Sequence, residues 1–179
     1  MLVIYREGLN EVQAKFQFEF EVQGLIKTIE KVRTMTKQPN YNPTIIYLLV
    51  NKKTSSRIFE GKGKGKNIDY SNPDPGSVIF EDLSTGYKEF HLASAEVREG
   101  TCTPVAFKVG YENNPNFPFE AIADLTYNQC YCYYNWTGSV RVPAALQNAN
   151  KLAKLYSEIG EELKTEEKNS TLKSKLFYL

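Results

Sequence analysis

Tyr133-Tyr134-Asn135-Trp136-Thr137-Gly138-Ser139-Val140-Arg141-Val142-Pro143-Ala144, continuing into Ala145-Leu146-Gln147-Asn148-Ala149-Asn150, is the stretch whose reading decides the fold. A tyrosine-rich helix end meets a turn at Gly138. Ser139 to Val142 is predicted as a short buried strand, and Pro143 stands where a proline opens a helix. That helix is predicted from Ala144 to about Leu163, because Leu146, Ala149, Ala153, Tyr156, Ile159 and Leu163 recur at spacings of three and four with charge on the other face. A helix of this kind docks on a sheet. Beyond it, Thr165 to Lys175 is polar, and Leu176-Phe177-Tyr178-Leu179 is an apolar end that is costly to leave in water.

Composition narrows the class. With 179 residues, 41% hydrophobic and 24% charged, the chain is long enough to bury one real core. A formal net charge of +1 means that any nucleic-acid surface must come from local clustering of Lys and Arg. The three cysteines, Cys102, Cys130 and Cys132, are odd in number, lack metal-ligand spacing and have one histidine, His91, for company. They fit a reducing, intracellular compartment, cytoplasmic or nuclear, better than a disulfide framework or a zinc site. No apolar run approaches the ~18 residues of a membrane span, so no membrane partner is expected.

Upstream of the opening stretch, strands and helices alternate. Leu2-Val3-Ile4-Tyr5 is a short strand that Gly8 ends, and Asn10 to about Met35 reads as a helix despite a strand-like alternation at Phe16, Phe18 and Phe20. Thr44 to Val50 is a continuous apolar run and reads as a strand buried on both faces. Lys62, Lys64 and Lys66 alternate with Gly61, Gly63 and Gly65. They lack the GK[ST] ending of a phosphate-binding loop and read most simply as a flexible loop, with RNA-backbone contact as the alternative. Ser77 to Phe80, Phe90 to Ser94 and Thr103 to Tyr111 are strand candidates, and Ala121 to Tyr134 is a helix candidate.

Several blocks, in order, resemble one family. Tyr133 to Ala144 resembles the Y-Y-N-W-x-G-x-V-R-V-P-A block that closes the PIWI domain of Piwi-clade Argonaute proteins. Tyr5 to Gln13 resembles its Y-R-D-G-x-x-x-x-Q, Lys52 to Phe59 its K-[KR]-x-x-x-R-[FIL]-F, Asn72 to Gly76 its N-P-x-P-G, and Val97 to Thr101 its V-[RK]-x-G-T. The resemblance implies an α/β fold, the C-terminal portion of an RNase H-like PIWI domain with a mixed sheet and flanking helices. Residues 1–163 would form this partial domain and residues 164–179 a polar linker with an apolar tail. The PAZ and MID domains and the first PIWI strands would lie outside it, leaving the strand that ends at Glu7 as an unpaired sheet edge. This implies a truncated gene product, a gene-model fragment or one piece of a split protein, with the MID portion supplied in cis or in trans.

The same resemblance assigns roles. At the family's second catalytic aspartate stands Glu7, and at its catalytic histidine stands Asn150. A two-metal nuclease needs carboxylates placed strictly around ions about 3.5–4 Å apart. A longer side chain and a neutral amide therefore imply a small-RNA-binding protein without target cleavage. The alternatives are a metal-dependent, guide-directed ribonuclease completed by another chain or an upstream segment, or a degenerate non-functional fragment. Lys52, Lys53, Arg57, Tyr133, Asn135, Arg141 and Gln147 match positions at which Argonautes contact the guide RNA backbone. The carboxylate of Leu179 matches one that helps hold Mg²⁺ at the guide 5′ phosphate. The partners implied are a small guide RNA and its target RNA.

Overall fold

The computed structural model describes residues 1–8, 11–65, 67–81 and 88–159, with residues 11–18 and 64 described through their backbone alone. Among the described residues, seven strands and three helices follow in the order β1 (Leu2–Glu7), α1 (Glu11–Thr36), β2 (Ile45–Asn51), β3 (Glu60–Lys64), β4 (Asn67–Ser71), β5 (Ser77–Phe80), β6 (Glu89–Ala93), β7 (Val105–Glu112), α2 (Phe119–Cys130) and α3 (Ala144–Ile159). The main sheet runs β1-β2-β7-β6-β5. β1 and β2 are parallel, joined by the α1 crossover that parallel neighbours require, and the remaining pairs are antiparallel. The mixed α/β sheet with flanking helices is therefore present. β1 lies at its edge.

β2 organises the sheet. Ile45, Ile46, Tyr47 and Leu48 are all at most 3% exposed, as a continuous apolar run between two covered faces demands. Alternation along the strands then sorts side chains by face. Tyr5, opposite Leu48, joins Phe107, Phe90, Ile122, Cys130, Val142 and Leu146 on the face that α2 and α3 cover, and its hydroxyl meets Thr126 Oγ1 at 3.1 Å. Arg6, one residue on, turns to the opposite face, where Glu21 of α1 takes its Nε at 3.1 Å and also accepts from the Tyr47 hydroxyl. Glu7 returns to the first face. This parity sets the candidate site.

Four expectations are corrected. Ser139 to Val142 is not a strand: the Val140 amide donates to the Cys130 carbonyl (2.9 Å) and its own carbonyl accepts from Ser94 Oγ (2.9 Å), single anchors instead of a ladder. The same contact ends α2 at Cys130 and not at Tyr134, because Val140 occupies the carbonyl that a further helical turn would use. The Lys-Gly segment is a β-hairpin, with Glu60 opposite Ser71 and Gly63 at φ 130°, a backbone value that glycine alone adopts readily. In α3, Leu146 is buried and Leu152, Leu155 and Tyr156 are partly covered while Ala149 and Ala153 are exposed, so the buried stripe is rotated from the predicted one. Phe16, Phe18 and Phe20 fall within the continuous helix α1, with Phe20 exposed. The end of the predicted last helix, residues 160–163, and the linker and tail, residues 164–179, lie outside the described residues.

The Asn72-to-Gly76 turn fits closely against α2. Gly76 has φ 98°, and a Cβ there would lie 2.8 Å from the Tyr127 ring. Tyr127 donates to the Pro75 carbonyl at 3.0 Å and its hydroxyl meets that of Tyr131 at 2.6 Å. Burial and this tyrosine neighbour push the Tyr127 phenol up to about 12, burial raises Tyr5, and burial with Glu21 raises Tyr47, all from an ordinary 10.0. Unfolded tyrosines ionise first as pH rises past about 10, so the folded state binds more protons there and stability falls. Burial also raises the Cys130 thiol to about 11 and raises the Cys102 thiol, both from an ordinary 9.0, so denaturation midpoints are expected to begin to fall past about pH 9 and to drop further between pH 10 and 12. Phenolate absorbance of the native protein is expected to lag that of the unfolded chain.

Candidate nucleic-acid interface

Glu7 closes β1 on the face that α3 covers, and the structure brings it against Lys52 and Asn150. Its Oε1 lies 2.5 Å from Lys52 Nζ, and its Oε2 accepts from Asn150 Nδ2 at 3.0 Å. Both carboxylate oxygens are therefore engaged. Lys52 stands just beyond β2, and because β2 is the parallel neighbour of β1 the two strand ends emerge side by side. Asn150, on the second turn of α3, is exposed and reaches back to them.

Beside this cluster runs a groove of about 1220 Å³. Lys52, Arg98, Arg141, Gln147, Trp136 and Tyr131 are among the residues that line it. Arg141 is exposed, yet its guanidinium donates to the carbonyls of Lys52 (3.3 Å) and Thr103 (3.2 Å), holding the loop after β2 against the approach to β7. Asn72 braces the opposite wall: its amide donates to Gly100 O (2.9 Å) and its oxygen accepts the Cys102 amide (2.8 Å). Asp74 and Glu96 also line the groove, so its charge is mixed and leans basic.

The predicted contacts separate into three sets. Lys52, Arg141 and Gln147 share the groove. Lys53, Arg57 and Asn135 are exposed but outside its lining, and Arg57 is folded back onto the carbonyls of Thr54 and Ser56. Tyr133 is only 7% exposed, so most of its ring is packed inside the fold. Leu179 lies outside the described residues. Sequence reasoning missed Arg98 and Trp136 as groove residues. Both sit in the quoted blocks, but only folding turns those blocks toward one another.

The donor set around Glu7 also tests a metal. An ammonium already sits against one carboxylate oxygen, and the amide at the other is a donor facing the carboxylate instead of a ligand. These residues do not fit a two-metal centre. No described helix is long and apolar enough to cross a membrane.

The Piwi domain family model matches residues 1–160. This chain belongs to the Piwi domain family. The Piwi chain is 34% identical to the protein piwi of Drosophila melanogaster over 99% of its own length and 20% of that protein's. It is 34% identical to the Piwi-like protein Ago3 of Bombyx mori, over 99% and 18% of the two lengths. It thus spans about a fifth of the curated relatives it matches. Among solved structures, it superposes on Drosophila Piwi with a TM-score of 0.63 at 33% identity, covering 86% of this chain and 20% of that one. It also superposes on a Kluyveromyces polysporus Argonaute determined with a guide RNA, at TM-score 0.74 and 22% identity, covering 99% and 23%. The RNase H-like Piwi fold is shared with both solved structures.

Proposed function

We propose that this Piwi domain holds a small guide RNA within a Piwi-type silencing protein and does not cut the target. The observation that carries the reading is the state of Glu7: an ammonium and an amide engage both oxygens of its carboxylate, and the ammonium is that of Lys52, which lines the basic-leaning groove. Such a position neutralises charge and braces two strand ends, and it supplies no ligand for a nuclease metal. The exposed cations nearby, Lys53 and Arg57 on the loop after β2 and Arg141 and Arg98 in the groove, suit a phosphate backbone, whose grip is a sum over cations and polar groups. Mg²⁺ at the guide 5′ phosphate, held with Leu179, belongs to the same proposal, as do a target RNA and a MID portion as partners.

The test is a chimera in which this chain replaces the corresponding segment of a Piwi relative. Lys52→Gln, Lys53→Gln and Arg57→Gln together are expected to weaken guide binding at least tenfold at moderate salt. Each lost phosphate contact lowers the logarithmic salt slope by about 0.7 for a single strand. Three free cations predict a drop of about 2, whereas a Lys52 committed to Glu7 predicts about 1.4. Unchanged affinity and slope would mean that these side chains are merely solvated. Arg141 is left intact because its carbonyl contacts hold the loop in place.

A further inference from the structure

On the opposite side of the sheet from the β1 edge, outside the groove, Glu81, Glu89 and His91 converge. We propose that these three side chains form a divalent-cation site with the ligand chemistry of zinc. His91 Nε2 lies 2.9 Å from Glu81 Oε1 and 3.6 Å from Glu89 Oε1, and the three ligand atoms lie within 4.8 Å of one another. Zinc at about 2.0–2.1 Å from nitrogen and oxygen ligands in tetrahedral array sets them roughly 3.3 Å apart. The two nitrogen–oxygen distances bracket that value. Rotation of the Glu81 side chain, 54% exposed at the hairpin end, can close the third.

The sheet register explains why the cluster calls for a cation. Phe80 pairs with Phe90, and the Glu81 amide donates to the Glu89 carbonyl at 3.0 Å, extending the ladder by one residue. Glu81 and Glu89 are therefore directly opposed, and like charges so placed destabilise a strand pair. His91 lies two residues from Glu89 on the same face. It is 7% exposed, and its Nδ1 is buried with no hydrogen-bond partner among the described residues. A single Nε2–H can hydrogen-bond to only one of the two carboxylates. A divalent ion at Nε2 instead serves both carboxylates at once. Lys108, opposite Glu89 on β7, is the cation that competes for that carboxylate. Because no partner fixes Nδ1, as metal-bound histidines ordinarily require, the affinity expected is micromolar.

His91 is the chain's one histidine, which makes the experiment direct. The tag-free full chain is titrated with Zn²⁺ while the imidazole ring protons are followed by NMR and free metal by a competing dye. One equivalent is expected to bind with a micromolar Kd and to move the His91 signals in step with occupancy. Glu81→Gln, at an exposed position, is expected to weaken binding at least tenfold with an unchanged far-ultraviolet spectrum, and His91→Gln to abolish it. Cys132→Ser, which removes the exposed thiol, is expected to bind as the parent does. Ring signals that stay fixed while zinc binds, parental affinity in Glu81→Gln, or no binding below millimolar zinc would each overturn the site.

Discussion

Guide-directed cleavage is expected to rise from near zero by at least about 10²-fold when Glu7→Asp and Asn150→His are introduced together into the chimera, with upstream strands that carry their own carboxylates. A misplacement of about 1 Å at a reacting centre can cost ~10²-fold, and the extra methylene of Glu7 displaces its carboxylate by about that much. In the parent the carboxylate is directed into Lys52 and Asn150, 2.5 Å and 3.0 Å away. Aspartate withdraws it from the ammonium, and histidine replaces an amide donor with a nitrogen ligand. Each single substitution is expected to recover little, because two metal ligands act as a unit. Single-turnover cleavage of a guide-matched RNA, with product mapped to one phosphate, measures this in Mg²⁺ and in Mn²⁺. Parent cleavage that disappears on Glu7→Ala would make the glutamate a working ligand and end the non-catalytic reading.

The second large effect is on stability. Phe107 is fully buried, stacked on Phe90 at 5.0 Å and 14° and set edge-on to Tyr5 at 6.3 Å and 81°. It joins β1, β7 and β6 at the centre of the face beneath α2. Truncation removes the ring and leaves a cavity that three strands cannot collapse around, so Phe107→Ala is expected to cost about 3–5 kcal/mol. Against a total of about 5–15 kcal/mol for a domain, that is a large share of stability. Urea denaturation is expected to show a lower midpoint at an unchanged slope. Phe59→Ala, at a position 53% exposed in edge contact with Tyr70, serves as the comparison and is expected to stay within about 1 kcal/mol of the parent. A loss below about 1.5 kcal/mol for Phe107→Ala would contradict the packing described.

Local pattern alone identified much of this protein. The run from Ile45 to Val50 reads as a strand covered on both faces, since its short length and β-branched content fit a buried strand better than a segment of buried helix. Asn72 to Gly76 and Val97 to Thr101 carried turn chemistry that the structure uses, and the ordered blocks carried the family. Strand existence, helix type and the parity that turns Glu7 toward α3 all follow from periods of 2 and 3.6, which neighbours in sequence set.

What required tertiary structure was every feature decided by a partner distant in the chain. Ser139 to Val142 has the residues of a strand, but at Val140 its amide goes to the Cys130 carbonyl and its carbonyl to the Ser94 hydroxyl, single anchors instead of a ladder. Tyr133 sits in a tyrosine run that a solvent-facing reading suits equally well, and packing buried it. Lys52 looked like one more exposed cation. Only the parallel pairing of β1 with β2, more than forty residues apart in the chain, sets its ammonium against Glu7. Backbone hydrogen bonds and ion pairs of that span depend on register and chain return, quantities that no local window of sequence contains.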